Sequence, residues 1–312
     1  MKKVCITHGT KTNSSIMDAF SQSIGAEIYN IGHKNHDGGP KDMAYREDVM
    51  PIFRSRSMWA TRSMRLYQER KQPFVYVDTG FFVPRPKEYH RLSVMDFQNY
   101  TVIPRPDDRW KMFQKMGLKM EPWQKGGRDI LICPPTTKTM AGFVPRETQQ
   151  KSLLPSQLST WQQDTIALLR EHTDRNIVLR SKPGIKERSG RGDTLANYLD
   201  NHSIFAVISL SGCVAPECVL RGIPCFVHPT NAAAPVCETD FRNIENPIYP
   251  DREEWIRSLS YDMWNTAEIR SGQAWVEGLE PRFQEVYGYV PEATESNLSQ
   301  ARIEYNNKIA RL

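Results

Sequence analysis

The 312-residue chain has no long apolar run: its hydrophobic stretches stop near about seven residues, far short of the roughly 20 that a membrane-spanning helix needs. No membrane partner is expected on that ground. No C-x-x-C pair occurs among its cysteines at positions 5, 133, 213, 218, 225 and 237, so a zinc site has no candidate and the thiols read as buried. Neither G-x-G-x-x-G nor a Walker A sequence is present, which removes the usual signatures of dinucleotide enzymes and P-loop kinases. There is no D-x-D, and with it goes the usual candidate for a metal-bound diphosphate. The opening "MKKVCITHGT" lacks the apolar core of a signal peptide and reads as a first strand, which implies a reducing cytoplasm.

What is present is a globular composition, 39% hydrophobic and 10% aromatic, at a length that suits two domains. The formal charge of +5 is unevenly placed. Residues 1–128 hold 22 Lys and Arg against 13 Asp and Glu, a net of +9, and the remainder holds 19 against 23, a net of −4. A basic half joined to a mildly acidic one points the first half toward a polyanion, although a solvated basic surface explains the same numbers.

Strand and helix signals alternate along the chain, which predicts an α/β fold with parallel sheets. "KKVCIT", "AEIYNIG" and "PFVYVDTGFF" read as strands of a first half, with a helix starting near Ser14 or Ser15 and a second over residues 51–70. The break at "MGLKMEPWQKGGRD" places a boundary at residues 128 and 129. The expected domains are 1–128, 129–290 and a terminal helix at 291–312. The second half opens on the strand "DILIC", then the helix "PSQLSTWQQDTIALLREHT", the strand "RNIVL" and a helix near 193–200. "IFAVISL", "CVAPECVLR" and "GIPCFVH" follow as strand, helix and strand, with Gly222 just past the helix end. "DREEWIRSLSYDMW" and "NTAEIRSGQAW" read as helices, the second with Asn265 and Glu268 at capping-box positions.

Turns that follow strands in open α/β sheets are where ligands bind. Three such turns occur in the second half: Thr136 and Thr137 after "DILIC", Arg180 and Lys182 after "IVL", and Ser209, Ser211 and Gly212 followed by Glu217. Hydroxyls and backbone N–H groups suit phosphate oxygens, Arg180 and Lys182 add positive charge, and Glu217 can take both hydroxyls of a ribose. Together they describe a site for a nucleotide diphosphate. Singly, Ser211 is as readily a helix cap and Glu217 a helix-start charge.

The stretch "HTDRNIVLRSKPG…FAVISLSGCVAPECVLRGIPCFVHP" resembles the carboxy-terminal half of GT-B glycosyltransferases, in particular capsule-type sugar transferases and related bacteriophage proteins. "FVYVDTGFF" with "YHRLSV" resembles a first-half segment of the same proteins. Gly212 and Cys213 stand where Thr or Ser is more usual. The resemblance implies two Rossmann-like domains facing a central cleft, a metal-independent transferase, no bound cofactor, and a nucleotide sugar as co-substrate. It implies that Arg180, Ser209, Ser211 and Glu217 hold the nucleotide sugar, with Asp78 and Gly80 lining the cleft opposite. Asp78, ending an apolar strand, is then the candidate base for an acceptor hydroxyl, its pKa raised by apolar neighbours. His8 is a second candidate. His33 and His36 read as part of a mobile acceptor loop.

The acceptor expectation comes from the basic half. Arg54, Arg56, Arg62 and Arg65 lie near Trp59 and Tyr67, and Arg109 and Lys111 flank Trp110. Cations that neutralise phosphates, interleaved with aromatic faces, suit a nucleic acid, and the resemblance to phage DNA-modifying enzymes implies a hydroxymethylated pyrimidine in double-stranded DNA as the acceptor. The alternatives are a capsule or lipopolysaccharide acceptor, bound on the same aromatics, and a nucleic-acid-binding protein without turnover.

Overall fold

The computed structural model describes residues 2–7, 11–30, 45–54, 58–82, 89–145, 150–182, 194–293 and 298–310. The chain forms two compact units, Met1–Phe113 with Ile256–Leu312, and Gln114–Trp255. The first unit begins with β1 (Lys2–Thr7), α1 (Lys11–Ile24), β2 (Glu27–Asn30), β3 (Val49–Arg54), α2 (Met58–Glu69), β4 (Val75–Thr79), β5 (Tyr89–Ser93) and α3 (Asp108–Lys115). The second contains β6 (Asp129–Cys133), α4 (Thr137–Met140), α5 (Leu154–Arg170), β7 (Ile177–Leu179), α6 (Leu195–Asn201), β8 (Ile204–Ser209), α7 (Val214–Leu220) and β9 (Cys225–Val227). Helix α8 (Glu253–Ser260) carries the chain back to β10 (Met263–Asn265), α9 (Thr266–Arg270), α10 (Glu280–Tyr287) and α11 (Leu298–Ile309).

The first sheet has six strands in the order β10-β5-β4-β3-β1-β2. Its four strands β2, β1, β3 and β4 are parallel. Strand β5 runs antiparallel to β4, and β10 antiparallel to β5, so the sheet is mixed where alternating βα signals had predicted a parallel one. "YHRLS" escapes notice as a strand because three of its five residues are polar, yet all five are buried. Residues 49–54 are likewise a buried strand rather than the start of a helix. Pairing of β3 with β4 begins at Ile52, so at Pro51 only β1 flanks the strand, a setting in which a proline's missing N–H is tolerated. Helix α1 starts at Lys11, ahead of Ser14 and Ser15.

On one face of this sheet, Ile16, Met17 and Phe20 of α1 pack with Ile52, Val75, Val77 and Leu92. The same cluster takes in Ile269, Trp275, Phe283, Leu298 and Ala301. That shared core assigns the chain beyond residue 255 to the first unit, against the expected boundary at 290. Arg282 fastens it further: its Nε and Nη2 donate to the buried Asp262, each at 2.9 Å, and its Nη1 to the Thr101 carbonyl at 2.8 Å. The Asn265 side chain accepts from the Glu268 N–H and the Glu268 carboxylate from the Asn265 N–H, so the predicted capping box is present at α9. "YDMW", expected to be helical, instead supplies the three-residue β10.

The second sheet has four strands, all parallel, in the order β7-β6-β8-β9. Its amino-terminal limit precedes the expected one because residues 118–125 are laced onto the end of α7. The Glu121 N–H donates to the Leu220 carbonyl and the Gln124 N–H to the Gly222 carbonyl, both at 2.7 Å. Gly222 follows α7 at φ +74°, and a Cβ there would lie 1.9 Å from the Pro122 carbonyl oxygen. Cys133, Cys218, Cys225 and Cys237 are buried free thiols, as predicted.

Candidate functional site

The strand order of the second unit locates its ligand edge before any side chain is considered. From β6 the chain crosses through α5 to β7 on one side, and from β7 through α6 to β8 on the other. The carboxyl ends of β6 and β8 therefore diverge at a topological switch point, where open α/β sheets leave a crevice. Register pairs Cys133 with Ser209 and Ser209 with Val227, so three strands end level there.

The residues singled out from sequence in this half converge at that edge. Ser209 ends β8, 1% exposed, and its hydroxyl has no hydrogen-bond partner. Thr136 caps α4, its Oγ1 accepting from the Thr139 N–H at 3.2 Å and sharing a hydrogen bond with the Thr139 hydroxyl at 3.0 Å. Thr137 is the first residue of that helix. Gly212, between Ser211 and Cys213 in the turn into α7, has φ +108°, and a Cβ built on it would meet no atom within 4 Å. The glycine serves the backbone conformation, and the space above the turn is open. Glu217 is buried in the first turn of α7.

Burial pushes the Cys133 thiol up to about 12, helped by Cys218; Arg180 opposes the rise and Glu217 adds to it. The guanidinium and the carboxylate thus both act on the end of β6. The Arg180 N–H donates to the Ile132 carbonyl at 2.9 Å, continuing the β6–β7 pairing, and its guanidinium lies 5.5 Å from the Tyr198 ring centre. Lys182 is exposed two residues on.

Sequence reasoning passed over His228, the first residue beyond β9. Its Nδ1 accepts from the Thr230 N–H at 3.2 Å and lies 3.0 Å from the Thr230 hydroxyl, which leaves the ring proton on Nε2. Phe143 packs edge-on against the imidazole at 5.0 Å. Asn231, fully buried, donates to the Leu210 carbonyl and accepts from the Ala233 N–H, tying the β9 exit to the β8 exit. The only signal for His228 was its place directly after an apolar strand.

In the first unit the expected residues scatter. Asp78 is the last residue but one of β4, and it stands among charges and a tyrosine hydroxyl. Its Oδ2 accepts from the Arg91 guanidinium at 2.7 Å and the Tyr76 hydroxyl at 3.0 Å, and its Oδ1 from the Thr79 N–H at 2.8 Å. Arg54 stands 3.8 Å from Oδ1. The apolar setting expected to raise its pKa is absent. Gly80 is buried, and a Cβ on it would come within 2.4 Å of the Met263 methyl. Arg109 is not a surface cation: it is 3% exposed, donates to Glu268 and to the Ser260 and Met263 carbonyls, and stacks 3.6 Å over Trp264. Trp110 and Tyr67 are buried as well. Arg54, with 11% of its side chain exposed, donates to the Val77 carbonyl. Lys111 is exposed and pairs with Asp107 at 2.8 Å. Arg62 is exposed and Arg65 half-buried. His8, His33, His36 and Arg56 lie outside the described residues. The interleaved basic and aromatic surface expected of a DNA-binding face is therefore not assembled by Arg54, Tyr67, Arg109 and Trp110.

Among the described residues no group of three or more His, Cys, Asp or Glu is placed to hold a metal, and no helix is long and apolar enough to cross a membrane.

The strand orders define a mixed α/β protein whose second unit is wound around a topological switch point. No protein-family model matches the sequence, and no curated protein matches it significantly. Two solved structures from Thermosulfurimonas dismutans are similar in fold. KpsC, beta Kdo 2,4 transferase, has a TM-score of 0.43 and 10% identity over 82% of this chain and 89% of its own. KpsC, beta Kdo 2,7 transferase, has a TM-score of 0.44 and 10% identity over 83% and 90%. Likeness at that level says nothing of chemistry, which has to come from the side chains.

Proposed function

We propose that the protein is a glycosyltransferase of the GT-B type whose second unit binds a nucleotide sugar at the β6–β8 switch point. The observation that carries this reading is the Ser209 hydroxyl, buried at the end of β8 and left without a partner, level with the end of β6, from which Thr136 and Thr137 follow. A buried polar group without a partner costs about 1–3 kcal/mol, a cost that a bound ligand removes. In the proposed complex Ser209 and Ser211 donate to the diphosphate, Arg180 and Lys182 offset its charge without an essential metal, and Glu217 accepts from the ribose hydroxyls. Transfer breaks the bond from the anomeric carbon to the phosphate oxygen, whose electron pair leaves with the nucleotide. The acceptor oxygen bonds to that carbon, and its proton ends on the phosphate oxygen of the departing nucleotide. We assign no proton transfer to Asp78, whose oxygens are committed to Arg91, Tyr76 and the Thr79 N–H.

For the acceptor, the burial of Arg109, Trp110 and Tyr67 takes away both the cations expected to meet DNA and the rings expected to carry a glycan. We take a hydroxyl of a capsule or lipopolysaccharide glycan as the acceptor, since a neutral hydroxyl does not need that basic surface. The test is transfer followed by mass spectrometry, with a panel of nucleotide sugars offered to acidic oligosaccharides and, in parallel, to hydroxymethylated duplex DNA. An oligosaccharide heavier by one sugar supports the reading, and a modified nucleoside would restore the DNA acceptor. If no nucleotide or nucleotide sugar binds in calorimetry, the donor site is refuted. Ser209→Ala should weaken nucleotide binding about tenfold while leaving thermal stability unchanged or raised, since it removes an unsatisfied hydroxyl.

A further inference from the structure

The first unit carries polar groups that neither its core nor the donor reading uses. Ile52, Val77 and Leu92 share one face of the sheet, and strand alternation puts Arg54, Thr79 and His90 on that same face at its end. Register sets Arg54 opposite Val77 and Thr79 opposite His90, so the three occupy adjacent strands β3, β4 and β5. Arg54 spends its Nη1 on the Val77 carbonyl at 3.2 Å, while its Nε is buried with no acceptor. His90 is 7% exposed, and its Nδ1 is also buried with no partner. Burial holds the imidazole down at about 4; Arg54 adds to that effect and Asp78 opposes it, so the two unsatisfied groups lie within electrostatic reach of each other.

Arg91 is committed, with Nη2 on Asp78 at 2.7 Å and Nη1 on the Thr79 carbonyl at 3.1 Å. Two guanidinium groups therefore share the one carboxylate of Asp78, which stands closer to Arg91 than to Arg54. A guanidinium edge with an unpaired Nε–H, beside a neutral imidazole able to donate from Nδ1 and the hydroxyl of exposed Thr79, presents donors without a matching acceptor among the described residues.

We propose that Arg54, Thr79 and His90 form an anion subsite that takes a small carboxylate or phosphate monoester group carried by a sugar. The subsite stands on the first unit alone and does not depend on the donor site. Should the proposed transfer hold, its ligand is an acidic substituent of the acceptor. The depth of the Arg54 Nε and His90 Nδ1 atoms limits the ligand to a group that enters end-on, a terminal carboxylate or phosphate.

The experiment is NMR of the full chain labelled with 15N, following the His90 ring nitrogens and the Arg54 Nε–H, with His90→Gln and Arg54→Met supplying the assignments. D-glucuronate, D-glucose 6-phosphate and neutral D-glucose are titrated separately. Saturable shifts of both signals with glucuronate identify a carboxylate subsite, and with the sugar phosphate a phosphate subsite; glucose leaves both unmoved. In Arg54→Met the His90 response should weaken at least about tenfold, as loss of a charged donor predicts, whereas exposed Arg242→Met leaves it intact. Unmoved His90 and Arg54 signals with both anions overturn the proposal, as does an equal response to glucose. The Arg54 Nε–H readout in the unaltered protein keeps the test valid if Arg54→Met does not fold.

Discussion

At the residue scale, the first unit's charges are placed so that two variants report different physics. Arg91 is 3% exposed in its side chain and relies on Asp78 for its ion pair. Asp78→Ala takes the carboxylate from that buried guanidinium, and should cost about 3 kcal/mol in urea unfolding, since a buried charge that loses its counter-ion is penalised. A variant that unfolds at unchanged urea concentration would refute the structural role. His90 gives the pH counterpart. Its folded pKa of about 4 lies below the ordinary 6.5, so the unfolded chain takes up the proton more readily. The neutral-His90 contribution is therefore full above pH 6.5 and is lost as pH falls toward 4. That window corresponds to roughly 3 kcal/mol. His90→Phe should flatten the fall in unfolding midpoint between pH 7 and 4.5, and an unchanged slope would remove His90 as its source.

At the element scale, the two readable devices are a cap and a turn. Asn265→Ala removes half of a capping box and should cost about 1 kcal/mol by chemical denaturation. Gly222→Ala should cost more, about 2 kcal/mol or above, because the new methyl meets both a positive φ and the Pro122 carbonyl. Elements of this kind were legible where one residue's chemistry dictates one conformation: Asn265 with Glu268, Gly222 after "CVAPECVLR", and the buried runs of β6 and β8. They were illegible where context decides. Pro51 and the spacing of Ile52 and Leu66 mimic a helix, and three-residue β10 is too short to show a period. The strand "YHRLS" hides its burial behind partners far along the chain: His90 and Arg91 lie opposite residues of β10 as well as β4. The same holds for the placement of single side chains. Ser209, Ser211 and Glu217 were readable as a strand end, a turn and a first helical turn because a strand-turn-helix pattern frames them. Arg109 was misread as a surface cation because nothing local says that Glu268 and Trp264 will enclose it.

At the scale of the molecule, the terminal helix belongs to the first unit's core. Leu298 and Ala301 are buried there, and Lys308 reaches the buried Glu277 and Asp108 at 2.5 and 2.6 Å. Removing residues 298–312 should expose that core and take from Glu277 its ammonium partner, leaving Gln273, so limited proteolysis is expected to degrade the first unit while 114–255 persists. Equal resistance of both units would contradict the assignment.

The division of the chain also sets an order of events during synthesis. The continuous segment 114–255 holds a complete sheet of its own and can fold as soon as it has emerged from the ribosome. The first unit, begun earlier, has to wait: α1 and α2 precede that segment, but β10 and the later helices that complete the core are made only afterwards. Its nascent sheet must remain incompletely covered while more than a hundred residues are added, which makes the unit begun first the last to be finished and the one most in need of a chaperone.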